Sequence, residues 1–264
     1  MLGAYDQQGT LMIARDVTRK QGPFFCPECG EQVVLKKGSF MAHHFAHRPS
    51  SECTYGVGES EEHRQAKYQI YDALCQHPGV TKLAIERPLG EVRPDISFCW
   101  EGRDYVAIEM QISEASPEEI AQRTSAYATE KIAVLWTKPY RRENMSCLTP
   151  YRTSLLERYL HALYFGNVYY WLGGELLYPI HFEPCSSIVG LQVVYDEDEH
   201  RQRIEGIRQF SSVVRNLDPG EVVHITDLKQ VWRPARRIGS FALPRARLWM
   251  LPRDEVESGR TGDI

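Results

Sequence analysis

Two cysteines and a later run of histidines have the residue types and spacing of a metal-binding module. Cys26 and Cys29 are separated by two residues and followed by Gly30, an arrangement in which two thiolates reach one ion from a tight turn. Residues 43–47 then read His-His-Phe-Ala-His. Two histidine nitrogens would complete a tetrahedral site. The expected ligands of this structural Zn²⁺ are Cys26, Cys29, His44 and His47.

The choice of the second ligand pair is open at the level of sequence. His44 and His47 repeat the spacing of the thiolates, whereas His43 and His47 have the spacing of a Cys2His2 finger. Cys53 could replace one of the histidines. Four protein ligands leave no position for a catalytic water, so the ion would be structural. It would stabilise a module of residues 1–53 that is too small to bury a sufficient core alone.

A second group of polar residues lies on two predicted strands. The strand predicted around residues 95–100 alternates polar and apolar side chains and presents Asp95 on its polar face. After a turn, a second strand presents Glu109 and Gln111 on one face of an otherwise apolar run. Burying acids in an apolar sheet is costly, so their presence indicates a site. A cluster of such oxygen ligands is what Mg²⁺ needs, and phosphodiester hydrolysis uses such an ion.

Two predicted helices flank these strands. In the first, Glu59, His63 and Lys67 recur every four residues and therefore line one face. The second begins at a Ser-Pro-Glu-Glu capping sequence that starts at residue 116. It carries Arg123 and Tyr127 on one face. Both helices are therefore placed to direct polar side chains toward the strands.

The order of these elements indicates the fold. A helix, three strands, a helix and a strand, with polar residues on the middle strands, is the pattern of a restriction-endonuclease-like core. We predict an α/β (α+β) protein with this core at residues 54–139, after the zinc-binding module at residues 1–53. A mixed α/β region would follow at residues 140–253, and the polar segment 137–144 is a candidate linker. Residues 254–264 lack periodic apolar side chains, and we expect them to be disordered.

The overall composition is that of an ordinary globular protein. Of the 264 residues, 42% are hydrophobic and 25% are charged. The longest apolar stretch without charge, between Arg158 and Glu175, is too short and too polar to cross a bilayer. The N-terminus lacks a basic region followed by an apolar core, so we expect no signal peptide. The seven cysteines argue against a secreted disulfide scaffold, and we predict a soluble, cytoplasmic protein.

Positive charge is concentrated near the C-terminus, although the net charge is −4. Residues 229–253 contain seven Lys or Arg residues and no acid. Three aromatic residues interleave them: Trp232, Phe241 and Trp249. Such a pattern is typical of a surface that contacts phosphates and stacks on bases, although a solvated face around a buried aromatic core is the alternative. The DNA contacts predicted in this segment are Arg233, Arg236 and Arg237.

Taken together, the motifs resemble those of the competence protein CoiA-like family, a group linked to nuclease function, natural transformation and DNA recombination. The resemblance extends over about residues 1–180, and its motifs are specific in combination. The residues that carry it are Cys26, Cys29, His44, His47, Glu59, His63, Lys67, Arg93, Asp95, Ile108, Glu109, Gln111, Arg123, Tyr127 and the segment Val134-Leu135-Trp136. The resemblance implies a zinc-ribbon-type module joined to a PD-(D/E)XK nuclease domain. In such a domain Asp95 and Glu109 would bind the catalytic Mg²⁺ or Mn²⁺, with help from Glu59.

One position departs from the nuclease pattern. Gln111 stands where such enzymes have their catalytic lysine. A glutamine can orient a water molecule but brings no positive charge, so Lys67, from the first helix, or Arg123 would have to supply it. We expect His63 to join the catalytic group, and Arg123 and Tyr127 to contact DNA.

The sequence therefore predicts a Mg²⁺- or Mn²⁺-dependent nuclease that hydrolyses DNA phosphodiester bonds during DNA uptake or recombination. DNA would be its partner, together with competence or recombination proteins. One alternative is a DNA-binding accessory protein that keeps the fold without cleaving, and another is a protein-interaction module built on the zinc ribbon. Asp95, Glu109 and Gln111 favour the nuclease over the accessory protein. The basic segment 229–253 favours either of these over the interaction module.

Overall fold

A computed structural model of the protein describes residues 1–145, 149–196 and 201–252. For residues 144, 187–196 and 201–208 only the backbone is described. The segment 254–264, which we expected to be disordered, lies outside the described residues. The predicted mixture of helices and strands is confirmed, with three α-helices among the described residues. No helix in these ranges is long and apolar enough to cross a membrane.

The N-terminal residues form a small antiparallel sheet. Its strands are β1 (Gly3–Tyr5), β2 (Leu11–Ile13), β3 (Phe24–Phe25), β4 (Gln32–Lys36) and β5 (His44–Ala46). They pair in the order β2-β1-β3-β4-β5. The turn between β1 and β2 contains Gly9, whose φ of 77° is in the left-handed region that glycine tolerates best. Phe24, Val33, Leu35 and Phe45 belong to a small core of its own beneath this sheet.

The next part of the chain supplies two helices and four strands. They are α1 (Glu61–Leu74), β6 (Val80–Ile85), β7 (Ile96–Trp100), β8 (Asp104–Met110), α2 (Pro117–Thr129) and β9 (Ala133–Pro139). Ser60 begins α1 by accepting a hydrogen bond from the backbone N–H of His63, at 3.1 Å. Ser116 caps α2 in the same way, with Pro117 at the first helical position, as the capping sequence predicts.

The register of the sheet brings the predicted site residues together. Strands β6, β7 and β8 are antiparallel neighbours, and β9 lies parallel to β8. Ile96 pairs with Ile108, so the residue before Ile96 and the residue after Ile108 are cross-strand neighbours. These residues are Asp95 and Glu109. The alternation that the sequence predicts for the two strands therefore converges on one point of the sheet.

The C-terminal part continues the same sheet. Its elements are β10 (Tyr151–Arg152), α3 (Leu155–Leu163), β11 (Asn167–Gly173), β12 (Leu176–Asp196), β13 (Arg201–Pro219), β14 (Val223–His224), β15 (Lys229–Arg233), β16 (Arg236–Ile238), β17 (Phe241–Leu243) and β18 (Ala246–Met250). The main strand order is β10-β13-β12-β11-β9-β8-β7-β6. The predicted boundary at residue 139 therefore does not divide the sheet. The expected linker at 137–144 begins inside β9, where Thr137 is buried.

Strand β18 completes the central core. It lies parallel to β9, with Leu248 beside Val134, and pairs with β15 on its other side. Trp249 is buried and packs edge-on against Phe98, with ring centroids 6.3 Å apart. The sequence left open whether Trp249 belongs to a base-stacking surface or to a buried aromatic core, and the structure places this side chain in the core.

Candidate functional site

A cavity of about 560 Å³ opens where α1, β7, β8 and α2 meet. It contains most of the polar residues that the sequence singled out. Its lining includes Glu59, His63, Lys67, Asp95, Glu109, Gln111 and Arg123. The cavity also includes Glu86, which the sequence analysis did not identify. The signal that could have revealed Glu86 is an acid directly after the apolar end of a strand.

Asp95 is held at the start of β7 by hydrogen bonds from two sides. His63 Nε2 donates to its carboxylate at 2.9 Å, and the backbone N–H of Met110 donates at 2.9 Å. Burial alone would raise the pKa of Asp95, but the charge of Lys67 and the bond from His63 hold this pKa well below its ordinary value. Asp95 is therefore a carboxylate throughout the ordinary pH range.

Glu109 lies beside Asp95 but has a different environment. Its side chain is buried, and Arg123 and Tyr127 both donate hydrogen bonds to its Oε1 atom. Burial raises the pKa of Glu109 to about 7, and the neighbouring charge of Asp95 adds to this effect while Arg123 opposes it. Two adjacent carboxyl groups with separated pKa values are common at functional sites.

Lys67 contacts three carboxylates from the interior of the protein. Its ammonium group pairs with Glu59 and Glu86 and lies 3.6 Å from Asp95 Oδ1. Burial would lower the pKa of Lys67, but the negative charges of Glu86, Asp95 and Glu59 raise it well above its ordinary value. Lys67 lines the cavity, but its charge is already shared among these carboxylates.

Three more of the predicted side chains, Tyr127, Arg123 and Gln111, lie in or beside the cavity. Tyr127 is buried with its hydroxyl on Glu109, so the expectation that it contacts DNA is wrong. Arg123 is 39% exposed, with its guanidinium 4.8 Å from the ring centroid of Trp136 and bonded to Glu109. Gln111 follows the end of β8 and donates a hydrogen bond from Nε2 to the carbonyl of Ser113 at 2.8 Å. Its amide therefore lies at the mouth of the cavity, close to Glu109 in the chain.

The N-terminal sheet carries a cluster of sulfur and nitrogen donors. One donor atom from each of Cys26, Cys29, His47 and Cys53 lies within 4.8 Å of the others. A tetrahedral zinc ion with bonds of about 2.0–2.3 Å needs ligands that are only slightly closer together, so this donor set fits zinc. The cluster can bind a zinc ion with three thiolates and one imidazole.

The structure corrects one member of the predicted zinc site. His44 begins β5, whereas His47 follows its last residue, so the two are about 10 Å apart along the extended chain. The Nδ1 atom of His44 instead forms a 2.9 Å hydrogen bond with the carbonyl of Ala42. Cys53 occupies the remaining position beside His47. The sequence allowed Cys53 as a substitute, but it could not show the path of the chain after residue 47.

Only some side chains of the basic segment 229–253 are exposed to solvent. Arg233 is 2% exposed and stacks on the ring of Phe165 at 4.3 Å, so the expectation that it contacts DNA is wrong. Arg236 and Arg237 are exposed on β16. Trp232 is exposed as well, and the guanidinium groups of Arg245 and Arg247 lie 4.4 Å and 5.6 Å from its ring centroid.

Two models of known protein families match this chain. The model of the N-terminal domain of competence protein CoiA matches residues 12–56, and the model of the CoiA nuclease-like domain matches residues 59–163. Together the two matches cover more than half of the chain. The chain belongs to the competence protein CoiA family. The first match spans all four residues of the Cys/His cluster, and the second spans the polar cavity except for its N-terminal rim at residues 55–58.

A curated member of the CoiA family shows how far the similarity extends. Competence protein CoiA from Bacillus subtilis (strain 168) is 29% identical to this chain over 137 residues. The match covers 51% of this chain but 36% of the relative, so the chain spans about a third of the relative's length. No solved structure matches the chain.

The raised pKa of Glu109 leads to a first prediction. If Glu109 is a ligand of a divalent ion, it binds as the carboxylate and not as the protonated acid, so the affinity for Mn²⁺ should rise as the pH rises through about 7. Because one pH unit below the pKa leaves about a tenth of the group ionised, binding at pH 6 should be about tenfold weaker than at pH 8. Titration calorimetry with Mn²⁺ measures this. Glu109→Gln should remove the rise, and an affinity independent of pH in the unaltered protein would contradict it.

Proposed function

We propose that this CoiA-family protein is a metal-dependent nuclease that hydrolyses DNA phosphodiester bonds in competence or recombination. The observation that carries the proposal is the placement of Asp95 and Glu109 on neighbouring strands, at the wall of one cavity with Gln111. The nuclease-like family match supports it. Competence or recombination proteins would be further partners.

The order of elements supports a PD-(D/E)XK assignment for the core. Helix α1, the antiparallel strands β6 to β8, helix α2 and the parallel strand β9 follow one another as in a restriction-endonuclease-like fold. In this assignment Pro94-Asp95 and Glu109 supply the acidic residues of the motif, and Gln111 replaces its lysine.

The two carboxyl groups fit a catalytic Mg²⁺ or Mn²⁺. Both are oxygen donors on adjacent strands, and the cavity beside them admits solvent. When bound, the ion supplies activation of water and charge for the phosphate. His63 keeps the Asp95 carboxylate in place through its 2.9 Å hydrogen bond. Glu59 supports the metal site indirectly, because its carboxylate pairs with Lys67, which lies beside Asp95.

The cation that meets the substrate is Arg123 in this proposal. Lys67 is buried and paired with carboxylates, so its role is to hold Asp95 and Glu59 in position. Arg123 is partly exposed at the cavity and already points its guanidinium at Glu109. It can contact the scissile phosphate while Gln111 orients the attacking water, which divides the work of the usual lysine between two residues.

The ion pairs within the cavity favour a second function, the binding of DNA without cleavage. Three acids of the cavity have cationic or imidazole partners within the protein: Lys67 pairs with Glu59, His63 with Asp95, and Arg123 with Glu109. Such pairing suits a DNA-binding accessory protein that has kept the fold without the reaction. Incubation of the pure protein with linear, circular and single-stranded DNA, with Mg²⁺ or Mn²⁺, separates the two. Cleavage supports the nuclease, and binding of DNA without cleavage supports the accessory protein.

We assign the Cys/His cluster to one structural zinc ion. Its ligands are Cys26, Cys29, His47 and Cys53. Four protein ligands leave no coordination position for substrate, so the ion stabilises the N-terminal sheet and takes no part in the reaction.

The exposed arginines of β16 lead to a second prediction. If Arg236 and Arg237 contact phosphates, replacing both with alanine should reduce the slope of log affinity against log salt by roughly 0.7–0.9 for each contact. Fluorescence anisotropy with a labelled DNA duplex and a single strand, over a range of salt concentrations, measures the slope. Arg103→Ala is the matched control, because Arg103 is an exposed arginine on the turn between β7 and β8. An unchanged slope in the double variant would show these arginines to be ordinary surface residues.

A further inference from the structure

Glu86 connects the N-terminal sheet to the interior of the candidate catalytic cavity. It follows the last residue of β6 and is only 4% exposed. Its φ of 51° lies in the left-handed region, which is unfavourable for a residue with a side chain. Its backbone N–H donates to the carbonyl of Asp95 at 3.1 Å. The backbone of Glu86 is thus fixed to Asp95, the residue immediately before β7.

The two carboxylate oxygens of Glu86 have different partners. Oε1 accepts from the ammonium of Lys67. Oε2 accepts from the backbone N–H groups of Leu2, at 2.7 Å, and Gly3, at 3.2 Å, and from the hydroxyl of Tyr55, at 3.1 Å. One oxygen therefore faces the cavity and the other faces the N-terminal sheet and the segment that follows the Cys/His cluster.

The position of Lys67 depends on this arrangement. Lys67 is buried, and a buried ammonium group requires anionic partners on more than one side. Glu59 and Glu86 hold it at contact distance, and Asp95 lies at 3.6 Å. Without the charge of Glu86, the ammonium would move toward Asp95 and neutralise the carboxylate that the proposed reaction needs.

We propose that Glu86 is a positioning residue that makes the placement of Lys67 depend on the docking of the N-terminal sheet. Leu2, Gly3 and Tyr55 hold one oxygen of the carboxylate, and this fixes the direction in which the other oxygen draws Lys67. Only the expected effect of Glu86 on cleavage rests on the proposed nuclease function. The contacts themselves link the N-terminal sheet to the cavity whatever reaction occurs there.

The test uses the full-length protein and the variant Glu86→Gln, with Glu91→Gln as its control. Gln keeps an acceptor for the backbone of β1 but removes the charge, whereas Glu91 is an exposed acid in the same connection between β6 and β7. In Glu86→Gln we expect faster hydrogen exchange at the Leu2 and Gly3 amides. We also expect a displaced side-chain ammonium NMR signal of Lys67. For cleavage we expect kcat to fall by about tenfold or more with KM unchanged, because a catalytic carboxylate is misplaced. Glu91→Gln should behave as the unaltered protein.

Tyr55→Phe keeps the test informative if Glu86→Gln fails to fold. It removes one hydroxyl that donates to Glu86, whereas the ammonium of Lys67 pairs with carboxylates, so a displaced Lys67 signal would show that the two sides are coupled through the carboxylate. Tyr71→Phe is its control, because Tyr71 is a partly buried tyrosine of α1 whose ring lies beside the guanidinium of Arg15. Faster amide exchange with an unchanged Lys67 signal would show that Glu86 is only a structural anchor and would overturn the proposal. Absence of cleavage in the unaltered protein would instead remove the nuclease function, and the NMR signal would still decide the role of Glu86.

Discussion

Replacing Asp95 with asparagine is expected to abolish the cleavage of DNA and to leave the affinity for DNA nearly unchanged. The asparagine side chain has almost the same shape and can still accept the hydrogen bond from the Met110 backbone. It cannot bind a divalent ion as a carboxylate does. The loss should exceed about a hundredfold in rate, the order found when one preorganised electrostatic group is removed from an active site.

Three measurements make this result decisive. Initial rates of DNA cleavage with Mn²⁺ give the catalytic effect, anisotropy gives the affinity, and thermal unfolding shows whether the variant is folded. Asp104→Asn is the matched control, because Asp104 lies on the neighbouring strand β8 at its opposite end, where it pairs with Trp100. If Asp95→Asn cleaves DNA at the rate of the unaltered protein, the assignment of Asp95 as a metal ligand is wrong.

Replacing Cys53 with serine is expected to remove the bound zinc, whereas replacing His44 with alanine is expected to leave it. Cys53 lies in the donor cluster, and His44 is hydrogen-bonded to Ala42 away from it. The free energy of binding a structural zinc ion, about 10–16 kcal/mol in zinc-finger peptides, is available for folding. Losing one thiolate should therefore unfold the N-terminal sheet and make the protein less soluble.

Elemental analysis of the purified variants measures the zinc, and circular dichroism measures the folded fraction. Cys75→Ser is the matched control, because Cys75 is an exposed cysteine at the end of α1 and outside the cluster. Zinc close to one equivalent in Cys53→Ser, together with its loss in His44→Ala, would restore the ligand set expected from the spacing of the histidines.

The sequence predicted the parts of the site that depend on local periodicity. Strand alternation has a period of two, so the facing of Asp95 and Glu109 could be deduced from neighbouring residues alone. The Cys26–Cys29 pair could be identified because both thiolates belong to one turn. In each case the arrangement is set by residues that are close in sequence, so tertiary contacts change it little.

The parts that the sequence did not predict depend on contacts between distant segments. Glu86 gains its role from Lys67 and from the backbone of β1, which lies more than eighty residues earlier in the chain. Whether Arg233 is a surface cation depends on Phe165, on another element. Tyr127 has the same residue type and helix position whether it faces DNA or Glu109. Spacing alone does not distinguish such alternatives, since burial is decided by the whole fold.

Strand β18 sets the order of events during synthesis on the ribosome. Its Leu248 lies beside Val134, more than a hundred residues earlier, and Trp249 closes the core against Phe98. Until residues 246–250 have left the ribosomal tunnel, part of the β9 edge has no partner and offers free backbone groups to other chains. Contacts between such distant residues also form slowly. A nascent chain that already contains Asp95 and Glu109 therefore still lacks part of the core of the sheet that carries them.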